Sequence, residues 1–465
     1  MEKEIQKINA LILQAAQKAR RETSSEPEPD LTRPVQWPVR CTIGPGLEGG
    51  IACETKVGYV NGSKGWLIYR GYDIFDLCAH TSFEEVAYLL LHGSLPRAAE
   101  LKEYKQELAE YRFLNKTLRL LMGFPVEKMN VMGSLRLGTN LMRQEFTFRD
   151  REDGRLEAVS TISSDEDSIA METKPKGGKR AIYEFSWKKL QEHVEPDEKL
   201  EDACSIASCY RLLAGVATIT AAIARVRQGR VPIEPDPELS HAANFLYMLS
   251  GTRPTPVEER IMDVALILHA DHGMNASTFA AMVVASTLSD IYFSVGAGIA
   301  ALNGPLHGGA NEQAFRMFDQ IKKGEDVEPW LDKKLADKSK IVGFGHRVYK
   351  AYDPRARILG PLAHYIVKGD SAAEKRFDVA RELESRVASR LGKEKKIFPN
   401  VDYYSGIVYD RLGIPTDMFT PIFAVSRVAG WTARVHEYLQ HNRIFRPRAI
   451  YTGEFNKTVP PLDQR

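Results

Sequence analysis

With 465 residues, 43% of them hydrophobic and 27% charged, the chain has the composition of a soluble globular protein large enough for two or three domains. A formal net charge of +2 gives no whole-molecule reason to expect a nucleic acid or a membrane as partner, so any anionic ligand must be met by local basic clusters. The five cysteines, Cys41, Cys53, Cys78, Cys204 and Cys209, form no CxxC pair, which speaks against zinc ribbons and for a reducing compartment.

Residues 3–20 place Ile5, Ile8, Ile12, Ala15 and Ala19 at helical spacing, which predicts an amphipathic helix. RRETSSEPEPDLTRP follows, charged and Pro-rich, and reads as a linker, so residues 1–40 are expected to be a poorly ordered extension. Glu2 and Glu4 argue against a transit peptide, and no secretory apolar stretch follows, so the expected location is cytoplasmic. TKVGYVNGSKGWLIYRGYDI alternates apolar and polar residues around Asn61-Gly62 and predicts a short hairpin. SFEEVAYLLLHG opens a helix on a capping box, Ser82 with Glu85, and closes it on Gly93. From there the i, i+3, i+4 pattern recurs nearly to the end, so the expected class is all-α. The apolar run Leu212 to Ala224 is shorter than the ~20 residues of a membrane span and reads as a buried helix. Residues 147–200 break the pattern with charge, Ser and Gly; they read as an insertion, anchored at its far end by Phe185, Trp187 and Leu190.

Three patches carry chemistry. GPLHGGAN (Gly304 to Asn311) puts His307 in a turn whose glycines permit close approach by a ligand, although a histidine there can also simply satisfy a loop carbonyl. GFGHRVYKAYDPR (Gly343 to Arg355) offers His346. It lacks the third glycine of a dinucleotide fingerprint, Val348 standing in its place. Arg347, Lys350, Arg355 and Arg357 follow; some belong to a solvated face, while Arg355, fixed by Pro354, suits a rigid carboxylate fork. NVDYYSG (Asn400 to Gly406) sets Asp402 among Val401, Tyr403 and Tyr404, either as a poorly hydrated, basic carboxylate or as a helix N-cap. In HADHGMN, His269 and His272 stand one helical turn apart without HExxH or a third ligand, so a metal is not expected; ligand contact suits His272 and a core role His269. Two neutral imidazoles, a carboxylate and nearby guanidiniums suit proton removal from a carbon acid beside an anionic acceptor.

The order and spacing of LSHAANFLYMLSG, LHADHGMNASTFAAMVVASTLSD, LNGPLHGGANE, VGFGHRVYKAYDPRA, FPNVDYYSGIVY, FAVSRVAGW and NRIFRPRAIYTG resemble those of citrate synthases over about residues 43–460, the insertion excepted. The bacterial, shorter-chain branch is the most similar. The resemblance implies an all-α homodimer with shared active sites, in which residues 41–308 form a large helical domain and 309–413 a small one. Residues 414–465 would return to the large domain and end in an arm. By the same resemblance His307 would stabilise the enol of acetyl-CoA, Asp402 remove its methyl proton and His346 polarise the oxaloacetate carbonyl. His272, Arg355 and Arg427 would hold the oxaloacetate carboxylates, with Arg446 reaching in from the partner subunit; Arg448 lies in the same RPRAIYTG stretch. Val342, Gly343, Phe344 and Gly345 would line the coenzyme A site. The coenzyme A thioester is then a substrate, and neither a permanently bound cofactor nor a metal is implied. Gly273 departs from the glutamate frequent in the family; Lys322, Lys323, Lys393, Lys395 and Lys396 could meet the coenzyme phosphates, but lysine runs are usually solvated and they are left out of the expected site. Two alternatives are a 2-methylcitrate synthase using propionyl-CoA and, remotely, a metal-dependent hydrolase ligating through His269, His272, His307 and Asp402.

Overall fold

A computed structural model describes residues 2–23, 35–152, 204–321 and 326–464. Helices of seven or more residues among these are α1 (Glu2–Glu22), α2 (Ile74–His80), α3 (Phe83–His92), α4 (Ala98–Tyr111), α5 (Asn115–Leu121), α6 (Val131–Glu152), α7 (Ile206–Arg227), α8 (His241–Ser250), α9 (Pro256–His269), α10 (Ala276–Ser286), α11 (Ile291–Leu302), α12 (Ala310–Gln320), α13 (Val327–Ala336), α14 (Pro354–Ile366), α15 (Ser371–Val387), α16 (Val401–Arg411) and α17 (Phe419–Leu439). The all-α expectation holds.

Local chemistry sets many of the boundaries. The expected capping box is present in α3, where Ser82 and Glu85 satisfy each other's backbone N–H groups and Gly93 closes the helix at φ 87°. Thr255 and Glu258 repeat the device at α9, with Pro256 in its first turn. Each such cap contributes about 1 kcal/mol.

The first correction concerns the N-terminus. Helix α1 buries Ile8, Ile12, Ala15 and Ala16 on one face and packs on α2, α9 and α14. It is thus a docked helix, because its apolar stripe meets a complementary face of its own chain. The Pro-rich residues 24–34 lie outside the described residues. A second correction concerns the insertion, since α6 runs on through Glu152; the rest of it, residues 153–200, lies outside the described set.

The predicted hairpin joins β1 (Gly58–Asn61) to β2 (Trp66–Tyr69), with Val60 opposite Leu67. The sequence did not suggest the third strand, β3 (Tyr72–Asp73), which pairs with β2. Residues 62–65 form the loop between the first two strands, and Gly62 explains why the hairpin is there. Its carbonyl accepts from Lys350 N at 2.8 Å and Ala351 N at 3.2 Å. A Cβ at Gly62 would stand 2.0 Å from the Val348 carbonyl oxygen. Only glycine allows the tip to clamp the 346–351 segment so closely.

Two helices organise the core. Nearly all of α17 is buried, and it packs against α3, α7, α9, α10 and α11. Helix α7 is the one described helix long and apolar enough to cross a membrane, yet 83% of that window is buried inside the protein, as befits a core helix. Burying a single Leu, Ile or Phe side chain contributes roughly 1.5–3 kcal/mol. A second group forms around α16, which packs on α12 and α14, while α15 packs on α13. Its centre is aromatic: Tyr403 meets Phe344 and Phe318 edge-on, at centroid distances of 4.6 and 5.2 Å. The two groups meet where α17 and α9 face the loop before α14, and there the predicted residues converge.

Candidate active site

One wall is the turn that ends α9. Gly430 of α17 donates its N–H to Ala270 O at 3.0 Å, and a Cβ there would lie 2.3 Å from that oxygen. This close crossing brings Arg427, one turn earlier, against the His269 carbonyl, which accepts from its Nε. His269 is fully buried, directs Nδ1 to Ala265 O and packs edge-on against Phe423 at 4.0 Å. It serves the core, as expected. No group of three His, Cys, Asp or Glu side chains among the described residues is arranged to hold a metal ion.

Three buried guanidiniums meet two buried carboxylates here. Arg434 is bidentate on Asp271, Nε to Oδ1 at 2.7 Å and Nη2 to Oδ2 at 2.8 Å. Arg355 is bidentate on Asp353, at 3.0 and 2.7 Å. The edge of Arg355 predicted to fork a ligand carboxylate is therefore already engaged, and Nη1 is the nitrogen left without a hydrogen-bond partner among the described residues. Arg427 has no carboxylate within ion-pair distance among the described residues. Burial, with Arg355 and Arg434 adding to it, pushes its pKa down to about 10, still well above neutrality. A buried cation without a counter-charge is costly, and a ligand carboxylate would remove that cost.

His346 sits on the loop before α14. Its Nδ1 accepts from the backbone N–H of Val348 at 3.0 Å and of Tyr349 at 3.2 Å. The ring proton must then be on Nε2. Burial first, then the Arg355 charge, lowers its pKa to about 4, so the imidazole is neutral. His272 lies 5.2 Å away, centroid to centroid; its Nε2 is buried without a hydrogen-bond partner. Burial and Arg355 hold it well below the usual histidine range.

His307 occupies the predicted turn between α11 and α12. Ser277, at the start of α10, directs both its backbone N–H (3.3 Å) and its hydroxyl (2.8 Å) at His307 Nε2. A backbone N–H only donates, so Nε2 accepts and Nδ1 carries the proton. Burial and Arg427 lower this histidine to about 4 as well.

Asp402 lies in the first turn of α16, half-buried. It is not the cap: Asn400 is, its Oδ1 accepting from Asp402 N at 3.0 Å. No group among the described residues hydrogen-bonds the Asp402 carboxylate. Burial raises its pKa to about 7, with Asp353 adding to the rise and Arg355 opposing it. Asn400 also ties this helix to the His346 loop, donating Nδ2 to Gly345 O at 2.8 Å and its backbone N to Gly343 O at 2.8 Å. The charges of Arg355 and Arg427 act on Asp402 and His272 alike, which groups the predicted residues in one region.

The remaining candidates are placed variously. Gly343 and Gly345 take φ of 80° and 74°. Val342 borders a cleft of about 270 Å³ with Arg316, Lys334 and Lys340. Lys350, Arg357 and Lys396 line another cavity, of about 370 Å³, whereas Arg347 is exposed beside Glu48. Lys322 and Lys323 fall outside the described residues. Gly273, at φ 61°, donates its N–H to Asp271 Oδ2 at 3.1 Å. Arg446 and Arg448 are exposed on the extended C-terminal segment; among the described residues Arg446 hydrogen-bonds only Pro447 O, at 3.3 Å, apart from the cluster of its own chain. The sequence reading missed Asp353, Asp271, Arg434, Ser277, Asn400 and Tyr349. The Asn-x-Ser and Asn-x-Asp spacings at Asn275 and Asn400 are N-cap signals that could have found two of them. The Asp271–Arg434 pair, far apart in the chain, had none.

A family model described as "Citrate synthase, C-terminal domain" matches residues 46–448. The citrate synthase of Acidithiobacillus ferridurans is 40% identical over 424 residues, 91% of this chain and 98% of that one. That of Haloferax volcanii is 38% identical over 421 residues, 90% of this chain and 98% of its own. Among solved structures, the citrate synthase of Pyrobaculum aerophilum matches with a TM-score of 0.74 at 38% identity, covering 94% of this chain and all of that one. The Thermoplasma acidophilum citrate synthase, solved as a ternary complex with carboxymethyl coenzyme A and oxaloacetate, matches with a TM-score of 0.75 at 32% identity, covering 92% of this chain and 100% of its own. With motifs, fold and relatives in agreement along most of its length, the chain belongs to the citrate synthase family.

Proposed function

We propose that the chain condenses acetyl-CoA with oxaloacetate and hydrolyses the resulting citryl-CoA to citrate and coenzyme A. The observation that carries this reading is Arg427, a buried cation with no carboxylate in ion-pair distance among the described residues, beside two neutral imidazoles and a carboxylate of raised pKa. An oxaloacetate carboxylate supplies the missing charge. Arg355 Nη1 and His272 hold the dianion with it, and Arg446 of the partner subunit completes the site in a homodimer.

Asp402 then takes a methyl proton from acetyl-CoA while His307 Nδ1–H donates to the thioester oxygen, so charge is stabilised as it develops. A thioester methyl is a far weaker acid than a carboxylic acid, which is why base and donor act together. The enol carbon attacks the oxaloacetate keto carbon, whose oxygen accepts a hydrogen bond from His346 Nε2–H. Water finally cleaves the thioester, releasing the thiol. No step calls for a metal. Val342 to Gly345 receive the coenzyme, a reading supported by the basic cleft at Val342. Residues 309–413 act as the small domain that closes over the site and excludes water, and the enzyme works in the cytoplasm.

Thiol release with oxaloacetate and either acetyl-CoA or propionyl-CoA tests the reading. Acetyl-CoA should give the higher kcat/KM. Preference for propionyl-CoA would make it a 2-methylcitrate synthase, and no thiol release with either would remove the proposal.

A further inference from the structure

Two thiols stand together where the chain turns into α7, away from the cleft. Ser205 caps that helix, its hydroxyl accepting from Ser208 N at 3.1 Å. Cys204 is thereby the residue before the cap and Cys209 falls in the first helical turn. These are the two positions that a hydrophobic staple brings into contact. Here the staple is made of sulfur: the two Sγ atoms lie 3.8 Å apart, both side chains buried. All five cysteines are free thiols, and Cys204 and Cys209 are the only described pair in contact.

Their surroundings make the two sulfurs unequal. The hydrogen-bonding contact with Cys209, with His436 from the last turn of α17 adding to it, brings the Cys204 thiol down to about 6. Cys209 is held well above the usual thiol range by the same contact and by burial. His436 is raised in return, first by its hydrogen bond with Cys204. A thiolate, a protonated neighbouring thiol and an imidazole are the parts of a nucleophile with its resolving partner. Cys78 offers a contrast, fully buried with its thiol pushed up by burial.

We propose that Cys204 and Cys209 form a peroxide-reactive dithiol, which hydrogen peroxide converts to a reversible disulfide at the N-terminus of α7. The Cys204 thiolate attacks one peroxide oxygen; the O–O bond breaks, hydroxide leaves and takes up a proton as water, and Cys204 becomes a sulfenic acid. Cys209 sulfur then displaces the sulfenic oxygen, which leaves as a second water with the Cys209 proton. Two thiols have lost two electrons and two protons, and one peroxide has become two waters. Cys204 precedes the helix, so its side chain is free to close the gap to a bonding distance of about 2.05 Å without unwinding α7.

The test uses the full chain, reduced and then exposed to a small excess of hydrogen peroxide. Remaining thiols are blocked with N-ethylmaleimide after unfolding, and peptides are read by mass spectrometry. The expected product is a Cys204–Cys209 linkage, lighter than the dithiol by about 2 Da and reversed by dithiothreitol. In Cys209→Ser the linkage is lost and dimedone captures Cys204 sulfenic acid about tenfold more than in the wild type. His436→Gln should slow linkage formation at pH 7 about threefold or more. The proposal is overturned if both thiols stay fully alkylatable under peroxide that oxidises exposed Cys41. It is equally overturned if wild-type Cys204 passes to sulfinic acid with no linkage. Both of those outcomes are read on the wild-type chain, whatever the variants do.

Discussion

Arg355 and Asp353 are joined by two parallel hydrogen bonds, Nε to Oδ1 at 3.0 Å and Nη2 to Oδ2 at 2.7 Å, although Arg355 is proposed to hold a substrate anion. Asp353 also accepts from Val401 N at 3.2 Å, so this one carboxylate orients an arginine and anchors the helix that carries Asp402. The Asp353→Asn variant should lose about 3 kcal/mol of stability to denaturant and raise the KM for oxaloacetate, because a buried cation loses its counter-charge. Stability within about 0.5 kcal/mol of wild type would contradict that role.

Arg427 makes the opposite prediction. It has no acid to lose, so Arg427→Met should leave stability unchanged or raise it by about 1–2 kcal/mol, whereas Arg355→Met lowers it. The KM for oxaloacetate should rise about a hundredfold or more in Arg427→Met, the expected cost of removing one partner from a buried charge pair. Equal destabilisation by the two substitutions would show that Arg427 has a carboxylate counter-charge in the folded chain after all.

The pH profile separates the base from the two donors. His307 and His346 are lowered to about 4, so neither titrates between pH 5 and 8. Asp402 is raised to about 7, and as the proposed base it would act only when ionised. The kcat/KM of the free enzyme should therefore fall about tenfold per pH unit below pH 7, with a single ionisation. The linked effect on stability has a definite sign. A carboxyl whose folded pKa lies above its unfolded value binds its proton more tightly when folded, so its contribution grows as pH falls from 7 toward 4. Above pH 7 its buried charge costs stability. Asp402→Asn should accordingly melt higher than wild type at pH 8, with the gap closing as the pH drops. A profile flat through pH 7 would mean that another group is the base.

The sequence was legible wherever the signal was local. The Ser82–Glu85 box, the hairpin and the glycine turn of His307 each follow from a few adjacent residues. The stripe of Ile8 and Ile12 announced a helix, but not its docking, which depends on faces of α2, α9 and α14 formed elsewhere in the chain. Asp402 was open between base and cap; the structure gives the cap to Asn400, two residues before it, and leaves the carboxylate unbonded. The division of labour among the arginines was out of reach, since Asp271 meets Arg434 only after α9 and α17 cross at Gly430. For Arg355 the partner was two residues away, yet an Asp before a Pro reads first as a helix cap, and here Asp353 does both.

Arg446, exposed on its own chain, allows a test of the shared site. Asp402→Asn and Arg446→Ala subunits are mixed, dissociated and reassociated. In a mixed dimer one site then takes both defects and the other neither, so about a quarter of wild-type activity should return under random pairing. Were Arg446 to act within its own chain, mixing would restore nothing, with subunit exchange confirmed by native mass spectrometry.

The assignment of Asp402 as the base is tested most directly by Asp402→Asn, with turnover and oxaloacetate binding measured on the same preparation. The account predicts that kcat falls by roughly 10²-fold or more, while the Kd for oxaloacetate, set by Arg427, Arg355 and His272, stays within about threefold of wild type. Near-native turnover, or a lost oxaloacetate site with turnover lost only in proportion, would contradict it.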